Sequence, residues 1–300
     1  MNILIAGGSG FIGQALTDSL LADHRVFILT RRLPTLSSQI QWDGKTTQGW
    51  GERLEEMDAV INLSGFSLAH WPWTKSNRQR FVDSRVLPGL ALVSTMQAAR
   101  HRPGVFIQAS GINYYGLHRD SQAESVPPAD ESTPPGDDFL AQLAVQWEEA
   151  TESIEEMGVR RLVLRQAVVL AKQGGLFPLM ALPVRLFAGG PIGSGEQAVP
   201  WIHIADLVGA IRFLLEDQNA RGVYNLIAPT PTSNAGFMDA LAKALHRPYW
   251  LRTPDWLLRV MLGGMSVLVT EGRYAQPNRL LELGYRFRFP AIEAALADLF

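Results

Sequence analysis

Three glycines near the start of the chain, Gly7, Gly10 and Gly13, have the spacing of a phosphate-binding turn between a short apolar run and a helical pattern. In such a turn the first glycine permits the tight bend, the second lets backbone approach a pyrophosphate, and the third lets helix and strand pack closely. The helix start, at Phe11 and Ile12, adds unpaired N–H groups and a partial positive charge. The pattern predicts dinucleotide binding, and its alternative is a glycine-rich turn that binds nothing.

The residues after the second predicted strand read Thr30-Arg31-Arg32 and bear on which dinucleotide is bound. Sites for NAD place an acidic residue there to bind the ribose hydroxyls. No carboxylate stands at this exit, and the nearest along the chain are Asp23 and Asp43. Because a guanidinium can bind a 2′-phosphate through two hydrogen bonds, we predict NADP as the cofactor. Alternatively, both arginines are solvated loop charges.

Hydroxyl groups follow the fourth predicted strand, residues 104–109. Tyr114 and Tyr115 are candidates to donate a proton, and Ser110 is a candidate to hold a substrate carbonyl. Alternatively, Tyr115 packs under the turn and Tyr114 lines a pocket without chemistry. Arg165 is the last residue of the fifth predicted strand and either binds an anion or pairs with a carboxylate, as does Arg85. The predicted cofactor contacts at the other strand ends are Leu63, Ser64, Gly65 and Arg165.

A glycine-rich loop, Gly189–Gln197, is the candidate substrate segment, although it is also typical of a mobile loop. His203 follows it and is either a proton relay or a side chain that fixes a loop by bonding backbone. The predicted substrate contacts are Gly193, Gly195, Gln197, Trp201 and His203.

Apolar strand-like runs alternate with helical patterns through the first 165 residues. The predicted strands are 2–6, 25–30, 58–63, 104–109 and 161–165, and the predicted helices are 11–22, about 76–100 and about 139–157. Such alternation predicts a doubly wound α/β fold with a parallel sheet, whose ligands lie at the carboxyl ends of the strands. We expect residues 1–165 and about 200–228 to form this Rossmann-type domain. Residues 166–199 and 229–300 should form a smaller C-terminal substrate lobe, within which 171–200 should be loops plus a short helix.

Composition excludes several classes of function. The formal net charge is −2 without a basic block, so we expect no nucleic-acid partner. The chain has no cysteine, which excludes disulfides and thiol nucleophiles. No apolar run is long enough to span a membrane and no targeting peptide is visible, so we expect a cytoplasmic protein without a membrane partner. No residue cluster has metal-ligand spacing. The oligomeric state stays open.

A set of motifs along the chain carries a family resemblance. The motifs are Gly7–Gly13, Asp58–Gly65, Tyr114-Tyr115-Gly116, Trp73-Thr74, Asp83-Ser84-Arg85, Trp147-Glu148, Leu164-Arg165, Gly189–Gln197, Trp201–Asp206 and Gln276-Pro277. Together they resemble the extended short-chain dehydrogenase/reductases, and more narrowly the NAD-dependent epimerase/dehydratase-like "epimerase family" with its C-terminal domain. Bacterial members of the YfcH type are similar. The resemblance implies a Rossmann core that binds NADP and a small-molecule substrate, without defining that substrate.

The resemblance also implies a catalytic set of Ser or Thr, Tyr and Lys, and this chain departs from it. The Tyr-x-x-x-Lys positions fall on Phe139 and Leu143 or on Leu140 and Ala144, and the Ser position falls on Gly111. Two functions stay open: an NADP-dependent oxidoreductase or epimerase with another proton donor, or a non-catalytic NADP-binding sensor or partner-binding protein.

Overall fold

The computed structural model describes residues 1–118 and 126–300. Its main sheet has seven strands in the order β3-β2-β1-β4-β5-β6-β9, and every neighbouring pair is parallel. The strands are β1 Asn2–Ala6, β2 Arg25–Thr30, β3 Gln39–Gln41, β4 Ala59–Asn62, β5 Val105–Gly111, β6 Arg160–Gln166 and β9 Gly222–Leu226. A separate two-stranded parallel sheet pairs β7, Val168–Leu170, with β8, Trp201–His203.

Helices connect the strands and build the C-terminal part of the chain. The α-helices are α1 Phe11–Leu20, α2 Lys75–Ala98, α3 Phe139–Glu149, α4 Phe177–Arg185, α5 Ile204–Glu216, α6 Asn234–Ala244, α7 Asp255–Leu262, α8 Val267–Thr270, α9 Asn278–Glu282 and α10 Ile292–Leu299. Short 3-10 helices span Gly51–Glu56, Ile112–Tyr115, Glu152–Met157 and Gly263–Ser266.

Both faces of the sheet are buried, as β1 shows. Ile3 and Ile5 belong to the core cluster that includes residues of α1 and α5, whereas Leu4 and Ala6 belong to the cluster that includes residues of α2. Alternate side chains of a strand point to opposite faces, so a strand with helices on both sides must be apolar throughout. The predicted doubly wound, Rossmann-type fold is therefore confirmed.

The element bounds differ from the predicted ones mainly where the pattern is short. Strand β3 has only three residues and was not predicted. The helix expected over 139–157 ends at Glu149, and a 3-10 helix continues to Met157 before Gly158, whose φ of 75° ends it. The short helix expected within 171–200 is α4. A further buried cluster, to which Trp201, Phe237 and Phe289 belong, forms the core around α4, α6 and α10. The two-domain division stays a prediction.

Two features are absent from residues 1–118 and 126–300. No helix there is both long enough and apolar enough to cross a membrane. No group of three or more His, Cys, Asp or Glu side chains there is arranged to hold a metal ion.

Candidate functional site

The glycine turn after β1 is shaped by close backbone approaches. Gly7 has a φ of +82°, and a Cβ on it would lie 2.8 Å from the carbonyl carbon and oxygen of Leu63. A Cβ on Gly13 would lie 2.3 Å from the carbonyl oxygen of Gly7. Gly10 caps α1 and donates its N–H to the carbonyl oxygen of Gly7 at 2.9 Å. The first and third glycines are therefore required by packing, whereas a Cβ on Gly10 would meet only the Gly7 carbonyl oxygen, at 3.2 Å.

The first helical residues of α1 contact a loop of the C-terminal part. A Cβ on Gly174 would lie 2.5 Å from the Phe11 ring, so the ring packs directly on this loop. Phe11 and Ile12 are both partly buried against the main core. The Phe11 side chain therefore fixes the helix start, and the backbone at Gly10 faces the opening.

A cleft of about 440 Å³ opens at the carboxyl ends of β1, β2 and β4, and we call it the glycine cleft. Arg31 contributes to its wall, whereas Arg32 is exposed outside it. Predicted cofactor contacts from three strand ends therefore meet at one opening. The lining residues that the sequence predicted are Gly7, Gly10, Arg31, Leu63, Ser64 and Gly65.

Sequence reasoning missed the part of the glycine cleft that β3 brings in. Trp42, Asp43 and Lys45 follow β3 and line the cleft. The Asp43 carboxylate accepts hydrogen bonds from the backbone N–H groups of Lys45 and Thr46, both at 2.8 Å, and these bonds hold the pKa of Asp43 below its usual value. The Asp43 carboxylate is thus hydrogen-bonded within its own turn, while Arg31 and Lys45 supply positive charge to the cleft.

A buried polar network lies under the ends of β5 and β6. We define it as Ser110, Tyr115, Glu148, Arg165 and Asn225. The Ser110 hydroxyl donates to Glu148 Oε1 at 2.6 Å, and Arg165 donates to both oxygens of Glu148 at 2.9 Å. Burial alone would lower the pKa of Arg165, but the hydrogen bonds and charge of Glu148 outweigh it and raise that pKa. Arg165 therefore pairs with a carboxylate, the second of its two predicted roles, and Ser110 is fully buried instead of facing a substrate.

The two tyrosines occupy different positions around this network. The Tyr115 hydroxyl donates to Asn225 Oδ1 at 2.7 Å and accepts from Arg165 Nη1 at 3.0 Å. Tyr115 is 1% exposed, and burial raises its pKa to about 12. Tyr114 is only partly buried, and the Arg165 guanidinium carbon lies 3.3 Å from its ring centroid. The geometry thus places Tyr115 under the turn and leaves Tyr114 as the more accessible phenol.

The glycine-rich loop is anchored on the C-terminal part of the chain. Gly193 donates to the carbonyl oxygen of Thr253 at 2.9 Å, and Gly195 accepts from the N–H of Ala235 at 2.8 Å. Gln197 is buried, and its amide nitrogen donates to Ile192 and Val269 while its oxygen finds no partner in the described residues. The loop is held at both ends of its glycine run.

The other two predicted substrate contacts, Trp201 and His203, are buried in the structure. Trp201 donates to Thr232 Oγ1 at 3.0 Å. His203 caps α5 by accepting the Ala205 N–H at Nδ1, 3.2 Å away, and burial lowers its pKa. His203 is buried and its Nδ1 is used by the helix cap, so the geometry favours the loop-fixing role of His203 over the proton relay.

The comparison with known protein families adds an independent finding. Residues 3–226 match the model of the NAD dependent epimerase/dehydratase family, and residues 253–299 match a domain of unknown function, DUF1731. The chain belongs to the epimerase family. The matched range covers the sheet, the glycine cleft and the buried polar network, and the second range covers the segment from α7 to α10.

Relatives within the epimerase family match over the full length. The epimerase family protein YfhF of Bacillus subtilis is 34% identical over 100% of this chain and 98% of its own length. The mouse epimerase family protein SDR39U1 is 36% identical over 100% of this chain and 99% of its own length. Human SDR39U1, solved with NADPH, superimposes with a TM-score of 0.88 at 32% identity, covering 100% of this chain and 99% of that one.

In this epimerase-family chain an apolar cluster fills the place where the resemblance implies Tyr and Lys. Leu140 and Leu143 of α3 are buried with Phe81, and Phe139 packs on their cluster. The Phe139 ring lies 5.9 Å from that of Trp73, edge to face. No proton donor can come from these positions, so any acid in this chain must come from another element.

Proposed function

We propose that this chain binds NADP(H) and acts as an oxidoreductase or epimerase on a small molecule, without the Tyr-x-x-x-Lys pair. The observation that carries the proposal is the glycine cleft, whose wall includes Gly10, Arg31 and Lys45, with Asp43 hydrogen-bonded to its own turn. The human relative solved with NADPH supports the same choice. When bound, the nicotinamide group would supply the hydride chemistry.

The residues present fit a phosphorylated dinucleotide. Gly10 stands at the N-terminus of α1, where N–H groups and the helix dipole favour phosphate. Arg31 and Lys45 stand at the β2 side of the cleft, where a 2′-phosphate would need cations. Asp43 shares this wall, and the backbone N–H groups of Thr46 and Lys45 lower its pKa and keep it ionised, so Arg31 and Lys45 must outweigh its charge at the phosphate.

Tyr114 is the proposed proton donor. Its ring lies against the Arg165 guanidinium, and Arg165 is itself fixed by Glu148 and by the Tyr115 hydroxyl. A fixed cation beside the ring stabilises negative charge that develops as the phenol gives up its proton. Tyr115 and Ser110 would then position Arg165 and Glu148 from below, as neither is exposed.

The second candidate function is a non-catalytic NADP-binding sensor or partner-binding protein. It is favoured by Phe139 and Leu143 of α3, which pack in an apolar cluster at positions where the resemblance implies Tyr and Lys. Both functions predict nucleotide binding, and only the enzyme predicts turnover.

Calorimetric titration with NADPH and NADH, followed by a screen of carbonyl substrates for NADPH oxidation, tests the proposal. NADPH should bind more tightly than NADH, and a substrate should cause NADPH loss. Gly10→Val should bind neither nucleotide and should lose the thermal stabilisation that a ligand of the native state gives. Equal affinities for the two nucleotides would refute the NADP assignment, and tight binding without any turnover would favour the sensor.

The same proposal includes the finer expectations from the sequence. These are the likeness to bacterial members of the YfcH type, a substrate lobe that includes the loop Gly189–Gln197, and a cytoplasmic location.

A further inference from the structure

Arg85 of α2 is a buried cation that lacks a carboxylate partner among the described residues. Its side chain is 7% exposed, and burial, with no charged partner to oppose it, lowers its pKa to about 10. Arginine this deeply buried is normally paired with an acid, because an isolated charge is expensive to remove from water. A guanidinium with a pKa of about 10 is still charged near neutrality, so Arg85 keeps a buried positive charge with no acid beside it in the described residues.

The contacts of Arg85 use only part of its hydrogen-bonding capacity. Nη1 donates to the carbonyl oxygens of Phe66 and Phe81, both at 3.1 Å, and the guanidinium lies over the Trp147 ring at 4.8 Å. Within residues 1–118 and 126–300, Nε and Nη2 make no hydrogen bond. Two carbonyl contacts pin a loop, but they leave the outer edge of the guanidinium free to donate to a ligand.

The Arg85 guanidinium lies against Gly65, a lining residue of the glycine cleft. A Cβ on Gly65 would lie 3.3 Å from the Arg85 guanidinium carbon, 3.4 Å from Nη2 and 3.5 Å from Nε. Because the guanidinium carbon is the nearest of these atoms, the Gly65 Cβ position lies over the flat face of the guanidinium. Glycine at residue 65 therefore leaves no side chain between this face and the adjoining wall of the cleft.

The strand order fixes which part of a dinucleotide would reach this point. Arg31 follows β2, the glycine turn follows β1 and Gly65 follows β4, and these strands are consecutive in the sheet. A dinucleotide whose adenosine phosphate lies at Arg31 and whose diphosphate lies at Gly10 must continue toward Gly65 with its other half.

We infer that Arg85 binds the ribose–phosphate oxygens of the nicotinamide half of the cofactor, through Nε and Nη2, which make no hydrogen bond in the described residues. This inference rests on the proposed NADP binding and adds a residue to it. Arg85 would fix the nicotinamide nucleotide beside the end of β5, whereas Arg31 would select the phosphorylated adenosine half.

Two ligands separate these roles: NADPH, and adenosine 2′,5′-bisphosphate, which lacks the nicotinamide half. Arg85→Met should weaken NADPH binding about ten- to a hundredfold, the usual effect of losing charged hydrogen bonds, and leave bisphosphate binding unchanged. Arg85→Lys, which keeps the charge but loses the fork of donors, should lose less NADPH affinity, again with unchanged bisphosphate binding. Titration calorimetry measures all four constants.

Arg160→Met is the matched control, because Arg160 is also buried and donates to carbonyl oxygens, those of Leu214, Leu215 and Ala220. Arg160 is the first residue of β6, so it lies at the edge of the sheet opposite to the carboxyl ends of the strands. It should leave the affinities of both ligands unchanged. If Arg85→Met does not fold, Arg85→Lys carries the test with the same pair of ligands.

The possible outcomes separate this inference from the proposed function. If wild type fails to bind NADPH, both are overturned. If wild type binds NADPH and the Arg85 variants bind it equally well, only the role of Arg85 is overturned. Equal loss of both ligands also overturns it, because Arg85 would then act by shaping the whole cleft.

Discussion

Glu148 and Arg165 form a two-bonded ion pair beneath the ends of β5 and β6, with Nε–Oε1 and Nη2–Oε2 distances of 2.9 Å each. The pair joins a helix residue to a strand residue and orients the guanidinium under two tyrosine rings. Planar, paired hydrogen bonds of this kind fix direction as well as distance. The position of the cation beside Tyr114 therefore depends on a carboxylate from α3, the helix whose standard proton donors are absent.

Glu148→Gln should destabilise the protein by about 3–5 kcal/mol, the usual effect of leaving one charge of a buried pair without its partner. Arg165 would lose its counter-ion and Ser110 would lose a charged acceptor. Urea unfolding measures the change. The adjacent Glu149→Gln is the control because Glu149 is exposed, and equal free energies of unfolding for the two variants would contradict a structural role for the pair.

Tyr115→Phe should destabilise the fold by about 1–3 kcal/mol, because Asn225 and Arg165 would both lose a buried hydrogen-bond partner. Tyr114→Phe should change stability much less, as no hydrogen bond of its hydroxyl occurs in the described part of the chain. Thermal unfolding of the two variants side by side checks this difference. A larger loss of stability for Tyr114→Phe would mean that the hydroxyl of Tyr114, and not that of Tyr115, stabilises the fold.

Once a substrate is found, Tyr114→Phe should lower kcat by about 10²–10⁴, the usual contribution of general acid–base catalysis. NADPH affinity should stay unchanged, because the phenol acts on substrate. Steady-state rates together with calorimetric affinities separate the two effects. Full turnover by this variant would exclude Tyr114 as the proton donor and direct the search to other strand ends.

The features that could be predicted from the sequence depend on residues that are close together in the chain. The glycine turn, the alternation of strands and helices and the arginine after β2 are local patterns, and the structure has each of them. The rest depends on residues that are distant in the chain. Glu148 lies 38 residues from Ser110, and nothing in the spacing of either residue indicates their hydrogen bond.

The missed wall of the glycine cleft has a different cause. Strand β3 has three residues, too few for a period-two pattern, and it alone brings Asp43 and Lys45 beside Arg31. The prediction that no acid stands at the β2 exit holds along the chain, yet an acid reaches that exit through the fold. Its bonds to Lys45 and Thr46, visible only in the structure, hold the carboxylate in its own turn, and Arg31 and Lys45 supply the opposing charge in the same wall.

Stability should depend on pH through His203. Burial holds its pKa below the ordinary value of about 6.5, while Asp298 and Asp206 oppose this shift and Arg288 adds to it. Because the unfolded chain takes up a proton at higher pH than the folded one, this stability is present above about pH 6.5 and is lost as pH falls toward the folded pKa.

His203→Asn keeps a helix-capping acceptor and removes the titrating group. Its melting temperature should fall less than that of wild type between about pH 7.5 and about pH 5.5, a window on either side of the unfolded pKa. His246→Asn is the control, since His246 is exposed and its φ of 52° suits asparagine. Identical pH profiles for wild type and His203→Asn would rule out this contribution.

Arg31→Ala should weaken NADP binding about ten- to a hundredfold, because charged hydrogen bonds contribute about 1.5–3 kcal/mol. NAD binding should hardly change, since NAD has no 2′-phosphate for the guanidinium to bind. Arg32→Ala is the matched control, as Arg32 is exposed and lies outside the wall of the glycine cleft. Calorimetric titration of each variant with both nucleotides gives the selectivity directly. If Arg32→Ala reduces it and Arg31→Ala does not, the phosphate lies on the other side of the β2 exit and Lys45 is not its neighbour.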